Sequence, residues 1–141
     1  MNLEGIFNLF SFHDDDGEQR KIEQEIESYI TSPHYVCKMF IKLINNGDNF
    51  QTQLLYFFQT SLDSPDIDDL KEAGKFMMHS RAWYWISQCD LNKDEWKECL
   101  KNIPHKTFFK CLDICIEYYI SFEEYEKCAF LQSIKDFCKN T

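Results

Sequence analysis

Phe108, Leu112, Cys115 and Tyr119 recur at i, i+4, i+7 and i+11, the spacing that stacks side chains on one face of an α-helix. This stripe runs up to Ser121, where a second helical pattern begins at once, so the two helices must fold back on each other as a tight αα-hairpin. Ser121 followed by Glu124 reads as a capping box, the serine oxygen taking the Glu124 amide and the carboxylate reaching back to the serine amide. The pattern predicts helices over 104–120 and 122–139. On the first, Lys110, Asp113 and Glu117 occupy one narrow strip. Phe108, Phe109, Cys111, Leu112, Ile114, Cys115, Ile116, Tyr118 and Tyr119 cover the rest, so this helix is expected at the centre of the fold.

The remaining chain reads the same way. Ser32-Pro33, Ser64-Pro65 and Ile103-Pro104 each precede a periodic apolar run, and proline at a first helical position gives up an amide that has no partner there anyway. Gly47 is placed to close one helix, with Asp48 or Asn49 capping the next, and Asn92 with Glu95 forms a second capping-box pair. The expected helices span 18–31, 33–46, 49–61, 65–89, 93–102, 104–120 and 122–139. No segment alternates with period two, and no hairpin turn separates β-branched runs. The fold class is all-α: a single-domain bundle of about six to seven helices over residues 18–141, preceded by an apolar segment and acidic linker at 1–17.

Helix faces follow from 100° per residue. On helix 65–89, Leu70, Gly74, Met77, Tyr84 and Trp85 share one face, and Gly74 lets a neighbouring helix approach closely. Phe76 and Trp83, with His79 between them, lie opposite, either as an aromatic docking surface or under another helix. Arg81, near the core face, is read as a snorkelling surface residue. On helix 122–139, Phe122, Tyr125 and Ala129 form a stripe expected to pack on helix 104–120. Phe130, Ile134 and Phe137 form a second stripe that must meet another part of the bundle or a partner, and a partner is expected. Leu3, Phe7 and Phe10, with Ile6, Leu9 and Phe12, make a short apolar face that reaches out to a partner groove or folds back on the bundle.

Charge and cysteine narrow the function. The net charge is −9, with the acidic excess lying before Thr31 and around Asp63–Glu72. No basic patch is present to neutralise several phosphates, so direct binding to nucleic acid or to an anionic membrane is not expected, and a basic protein partner is the better match. The 7 cysteines are odd in number and lack a C-x-x-C pair. Most sit among apolar helical neighbours, as small buried hydrophobes in a reducing, cytoplasmic compartment. No 18-residue apolar run appears, so no membrane span is expected.

Chemical motifs are scarce. Cys111 and Cys115 would need two more ligands from Cys128, Cys138 or His105 to hold zinc, and nothing in their spacing demands it. No signature surrounds a cysteine paired with His13, His34, His79 or His105 as a nucleophile. Asp14-Asp15-Asp16 and Asp66, Asp68 and Asp69 do not fit an EF-hand, and the second group suits a helix N-terminus. There is no Glu-x-x-His pair, P-loop, dinucleotide fingerprint or hydrolase triad cue, so no enzyme and no cofactor are expected.

The C-terminal hairpin, about residues 115–138, resembles the UVR motif, an antiparallel helix pair of bacterial excision-repair subunits and chaperone adaptors. Glu123-Glu124-Tyr125-Glu126-Lys127-Cys128-Ala129 matches its acidic turn, aromatic-Glu pair and small residues, and Leu131 matches its leucine. Gln132-Ser133 stand in place of its Arg-Asp. The resemblance implies a protein-docking hairpin. The leading expectation is a small acidic helical adaptor that binds another protein. Two alternatives stay open: an acidic inhibitor, such as a toxin-immunity or phage counter-defence protein, and a self-associating virion or assembly subunit.

Overall fold

The computed structural model describes residues 16–61 and 67–141. They form seven helices and no strand: α1 (Asp16–Ile30), α2 (Pro33–Asn45), α3 (Gly47–Ser61), α4 (Ile67–Ile86), α5 (Asp94–Asn102), α6 (His105–Ser121) and α7 (Tyr125–Lys139). The fold is the all-α bundle that the periodicity predicts. Among the described residues no helix is long and apolar enough to cross a membrane. The apolar segment with Leu3, Phe7 and Phe10, and the Ser64-Pro65 start, lie outside the described residues.

Local chemistry explains the helix ends. Pro33 takes the first position of α2 and Ser32 caps it, its Oγ accepting the Tyr35 amide at 3.3 Å. Pro104 stands one residue earlier than expected, just outside α6. Asn92 does not cap α5. Its amide donates to Asp90 Oδ1 at 3.0 Å, and Lys93 precedes the helix without a side-chain cap. Gly47 opens α3 instead of closing α2, which puts Asp48 and Asn49 inside that helix. A Cβ at 47 would overlap the Met78 sulfur, so any larger residue there must displace the Met78 side chain. At Gly74 a Cβ would lie 3.2 Å from Gln51 Cγ, so α3 and α4 do approach closely there.

Helix α2 is the hub. Its buried face of Pro33, Val36, Cys37, Phe40 and Ile44 serves contacts with α1, α3, α4, α5 and α6. Helix α6 buries Phe108, Cys111, Leu112, Cys115 and Tyr119 between α2 and α7, as its stripe predicts. Phe40 meets Phe108 edge to face, with ring centroids 6.0 Å apart. Of the remaining apolar side chains of α6, Phe109, Ile114, Ile116 and Tyr118 are only half-buried and Ile120 is exposed, so it is less enclosed than its composition implies.

Two faces are turned from their expected positions. On α4 the buried residues are Gly74, Met78, His79, Ala82 and Ile86, whereas Met77 and Tyr84 are exposed. The face is rotated by about 100° from the Leu70–Tyr84 line, given 3.6 residues per turn. On α7 the buried residues are Leu131, Ile134 and Cys138. Phe122 and Tyr125 are each 62% exposed and Ala129 is exposed, so the stripe expected against α6 faces away from it.

The turn between α6 and α7 accounts for the second rotation. Ser121 belongs to α6 and its hydroxyl donates to the Tyr118 carbonyl at 2.5 Å, while α7 starts at Tyr125 with no side-chain cap. The expected capping box therefore does not form. In its place the Glu124 amide donates to Tyr119 O and the Glu123 amide to Ile120 O, each at 3.0 Å. Together these two bonds make a Schellman closure. Its left-handed position is held by Glu123 at φ 58°, where glycine is usual. A left-handed L-residue costs roughly 1–2 kcal/mol, and glycine gives back about 0.5–1 kcal/mol in lost chain entropy. Glu123→Gly is therefore expected to stabilise the fold by up to about 1 kcal/mol in urea unfolding. Destabilisation would show that the Glu123 side chain makes a contact worth more than this strain.

Candidate functional site

Around this turn, α4, α6 and α7 enclose a groove of about 490 Å³ lined by Phe76, Ser80, Tyr118, Tyr119, Phe122, Glu124 and Lys127. Its walls begin in the core. His79, only 3% exposed, stacks face to face on Tyr118 with centroids 3.8 Å apart and planes 11° apart. The Tyr119 hydroxyl donates to the His79 carbonyl at 3.0 Å, tying α6 to α4. From Tyr118 the ring contacts continue to Phe122 at 4.9 Å and to Tyr119 at 5.2 Å. From Tyr119 they run to Trp83 at 5.9 Å, and from Trp83 to Phe130 at 5.4 Å. Rings locked against one another in this way give the groove a rigid floor, while Phe76 (63% exposed) and Phe122 stand up at its edges.

The charges are placed with equal economy. Lys127 Nζ lies 3.3 Å from Glu124 Oε2, 4.7 Å from the Tyr119 ring centroid and 5.2 Å from that of Trp83, so its charge is held in place along the groove wall. The Tyr118 hydroxyl is shifted to higher pKa by burial first and then by Glu124 and Glu72, and Glu124 lines the groove itself. Glu123 and Glu126 are exposed on the adjoining turn with Tyr125. The rim is acidic, and its cation is already engaged.

His79 itself is a buried neutral imidazole. Desolvation, and secondarily Lys75, push its pKa down from the usual 6.5 to about 4. Its Nδ1 lies 3.7 Å from Cys115 Sγ. That thiol is itself pushed up by burial and, to a lesser degree, by Cys111, so the pair does not amount to a thiolate nucleophile.

The residues proposed from sequence separate into groups. Phe76 lines the groove, and Trp83 lies half-buried beneath Lys127 and Phe130. Phe130 and Phe137 are half-buried and pack on the core, and Ile134 is 0% exposed, so this stripe belongs to the bundle and Ile134 cannot meet a partner. The cysteines weighed as ligands have other neighbours. Cys111 Sγ donates to Asn45 Oδ1 at 3.6 Å, Cys128 Sγ to Ile116 O at 3.6 Å and Cys138 Sγ to Leu100 O at 3.9 Å, while His105 Nε2 lies 3.0 Å from Leu100 O. Among the described residues no group of three His, Cys, Asp or Glu is placed to hold a metal ion.

Sequence reasoning missed Tyr118 and Phe122 as site residues. Tyr118 looked like one more core position of an apolar helix, and Phe122 was assigned to the wrong side of the turn. A second groove, about 420 Å³ between α2 and α4, is lined by Met39, Leu43, Met77 and Met78 with Lys42, Asn46 and Arg81. Its methionines are flexible and adaptable, and they lack the locked ring framework of the aromatic groove.

No protein-family model matches the chain, and comparison with curated proteins and with solved structures gives no match.

Proposed function

We propose that the protein is a non-enzymatic binding module that seats a short apolar segment of another protein, flanked by Lys or Arg, in the groove of α4, α6 and α7. One observation carries the reading: Phe122 stands largely exposed on a framework of interlocked rings that costs little entropy to present, with Phe76 largely exposed in the same groove. Exposed aromatics at a concave, rigid site mark an interaction surface, and a carboxylate rim selects a basic flank. The resemblance of residues 115–138 to a UVR hairpin points the same way, to docking by a helix pair.

Phe122→Ala and Phe76→Ala alter exposed side chains, so each is expected to change stability by no more than about 0.5 kcal/mol. Each should weaken binding of the protein retained by the wild-type chain by at least about tenfold, the effect of about 1.4 kcal/mol at an anchor. Met77→Ala, in the other groove, should leave calorimetric binding unchanged. Equal loss in all three, or loss only at Met77, would remove the aromatic groove as the site.

The acidic rim at Glu123, Glu124 and Glu126 favours a second reading, an acidic inhibitor of a basic partner. Salt separates the two. Anchoring by aromatics should survive a rise in ionic strength from about 0.1 to about 1 M, whereas inhibition driven by charge should fall steeply.

A further inference from the structure

Helix α1 contributes no fully buried side chain: from residue 17 to residue 30 every one is exposed or half-buried. It packs on α2 near its own end, where the Tyr29 and Tyr35 rings meet with centroids 5.2 Å apart. A helix of 15 residues is marginal by itself, and the packing of an amphipathic face is what normally holds one. The solvent face of α1 reads Glu18, Ile22, Glu25 and Tyr29, at i, i+4, i+7 and i+11, so two large apolar anchors, 48% and 55% exposed, alternate with two carboxylates. The methionine groove between α2 and α4 is the complement of this face. Met39, Leu43, Met77 and Met78 give it apolar walls, Lys42 and Arg81 are its charged lining, and no carboxylate lines it. Among the described residues neither cation takes part in an ion pair, and α2 holds no acidic residue in a chain of net charge −9.

We propose that this groove receives α1 of a second copy of the chain, and that two such dockings close a symmetric dimer. No α1 residue of the same copy lines the groove. The dimensions agree. Ile22 and Tyr29 are seven residues apart, as are Met39 and Asn46, so at 1.5 Å per residue the pair of anchors and the groove row that receives them each run about 10 Å. Glu25 stands midway between the anchors and Lys42 midway along the row, so docking brings this carboxylate to this cation whichever way the helix runs. A helix laid in the groove excludes water from the pair, which strengthens its attraction. The methionines suit the role, because their unbranched side chains reshape around an incoming Ile or Tyr. The negative charge of each copy opposes association at long range, so the local match of opposite charge and the apolar surface it covers must hold the two together. Each copy offers one α1 and one groove, so reciprocal docking uses the same surface on both and closes at two.

The test is analytical ultracentrifugation of the reduced full chain from about 1 to about 100 μM, a range that brackets a micromolar dissociation constant. The wild type should reach twice 17.0 kDa at the upper end. Ile22→Asp and Met77→Asp alter exposed side chains on the two halves of the interface, so both should keep the helical circular dichroism signal and weaken dimerisation at least about tenfold. Glu25→Lys and Lys42→Glu should each weaken it as well, whereas the double variant, which exchanges the two charges, should dimerise more tightly than either single one. A wild type that stays at 17.0 kDa throughout would overturn the proposal. So would a dimer weakened by Ile22→Asp and untouched by Met77→Asp, which would place α1 against another surface, or a double variant no tighter than the single ones.

Discussion

Ile134→Asp is expected to unfold the protein at neutral pH, while Tyr125→Asp leaves it folded. Ile134 has no accessible surface and lies with Leu131 and Cys138 on the face that α7 turns to the core. A carboxylate there would be buried among apolar side chains, and an unpaired buried charge of this kind costs more than about 4 kcal/mol against a total stability of roughly 5–15 kcal/mol. Tyr125 is 62% exposed, so aspartate at that position should cost no more than about 0.5 kcal/mol. Circular dichroism and urea unfolding of the two variants read the difference directly. An unfolded Tyr125→Asp beside a folded Ile134→Asp would mean that α7 is rotated onto its other face.

Stability should also fall steeply with acid because of His79. Its folded pKa, about 4, lies below the ordinary 6.5, so as pH falls the unfolded chain takes up the proton first. The contribution is therefore complete above about pH 6.5 and is lost progressively as pH drops to about 4, below which it no longer changes. The shift corresponds to about 3 kcal/mol, at 1.36 kcal/mol per pKa unit. Since other groups titrate in the same range, the measurement is the difference between wild type and His79→Phe, a ring that can keep the stack on Tyr118 without a proton to bind. The variant should lack this part of the pH dependence. Parallel curves would show that the imidazole is not held neutral by burial.

Much of the architecture was legible because several elements have one dominant cause. The α6 stripe of Phe108, Leu112, Cys115 and Tyr119 is buried throughout, and Ser32-Pro33 opens α2 as capping chemistry requires. The face of α4 was not legible, since apolar residues surround it: Phe76, Met77, Met78, Trp83, Tyr84 and Trp85 leave no clean polar side. Bulk drew the reading toward Met77 and Tyr84, whereas the small residues Gly74 and Ala82 mark where neighbouring helices press close. The α6–α7 turn misled for a different reason. Ser121 and Glu124 satisfy a capping pattern, but backbone bonds from Glu123 and Glu124 already close α6, and a glutamate in the left-handed position gives no signal in sequence. A helix start at Ser121 turns Phe122 and Tyr125 inward and Ile134 outward, the reverse of what the Schellman turn produces. The groove depends on three helices and was out of reach of reasoning along one.

Titrating the isotope-labelled full chain with an amphipathic peptide carrying Leu and Trp anchors between lysines tests the binding account most directly. Amide and aromatic shift changes should centre on Phe76, Tyr118, Tyr119, Phe122 and Lys127, be lost in Phe122→Ala and be much weaker when the peptide's lysines are replaced by glutamates. Changes confined to Met39, Leu43 and Met77, or equal binding of the lysine and glutamate peptides, would contradict it.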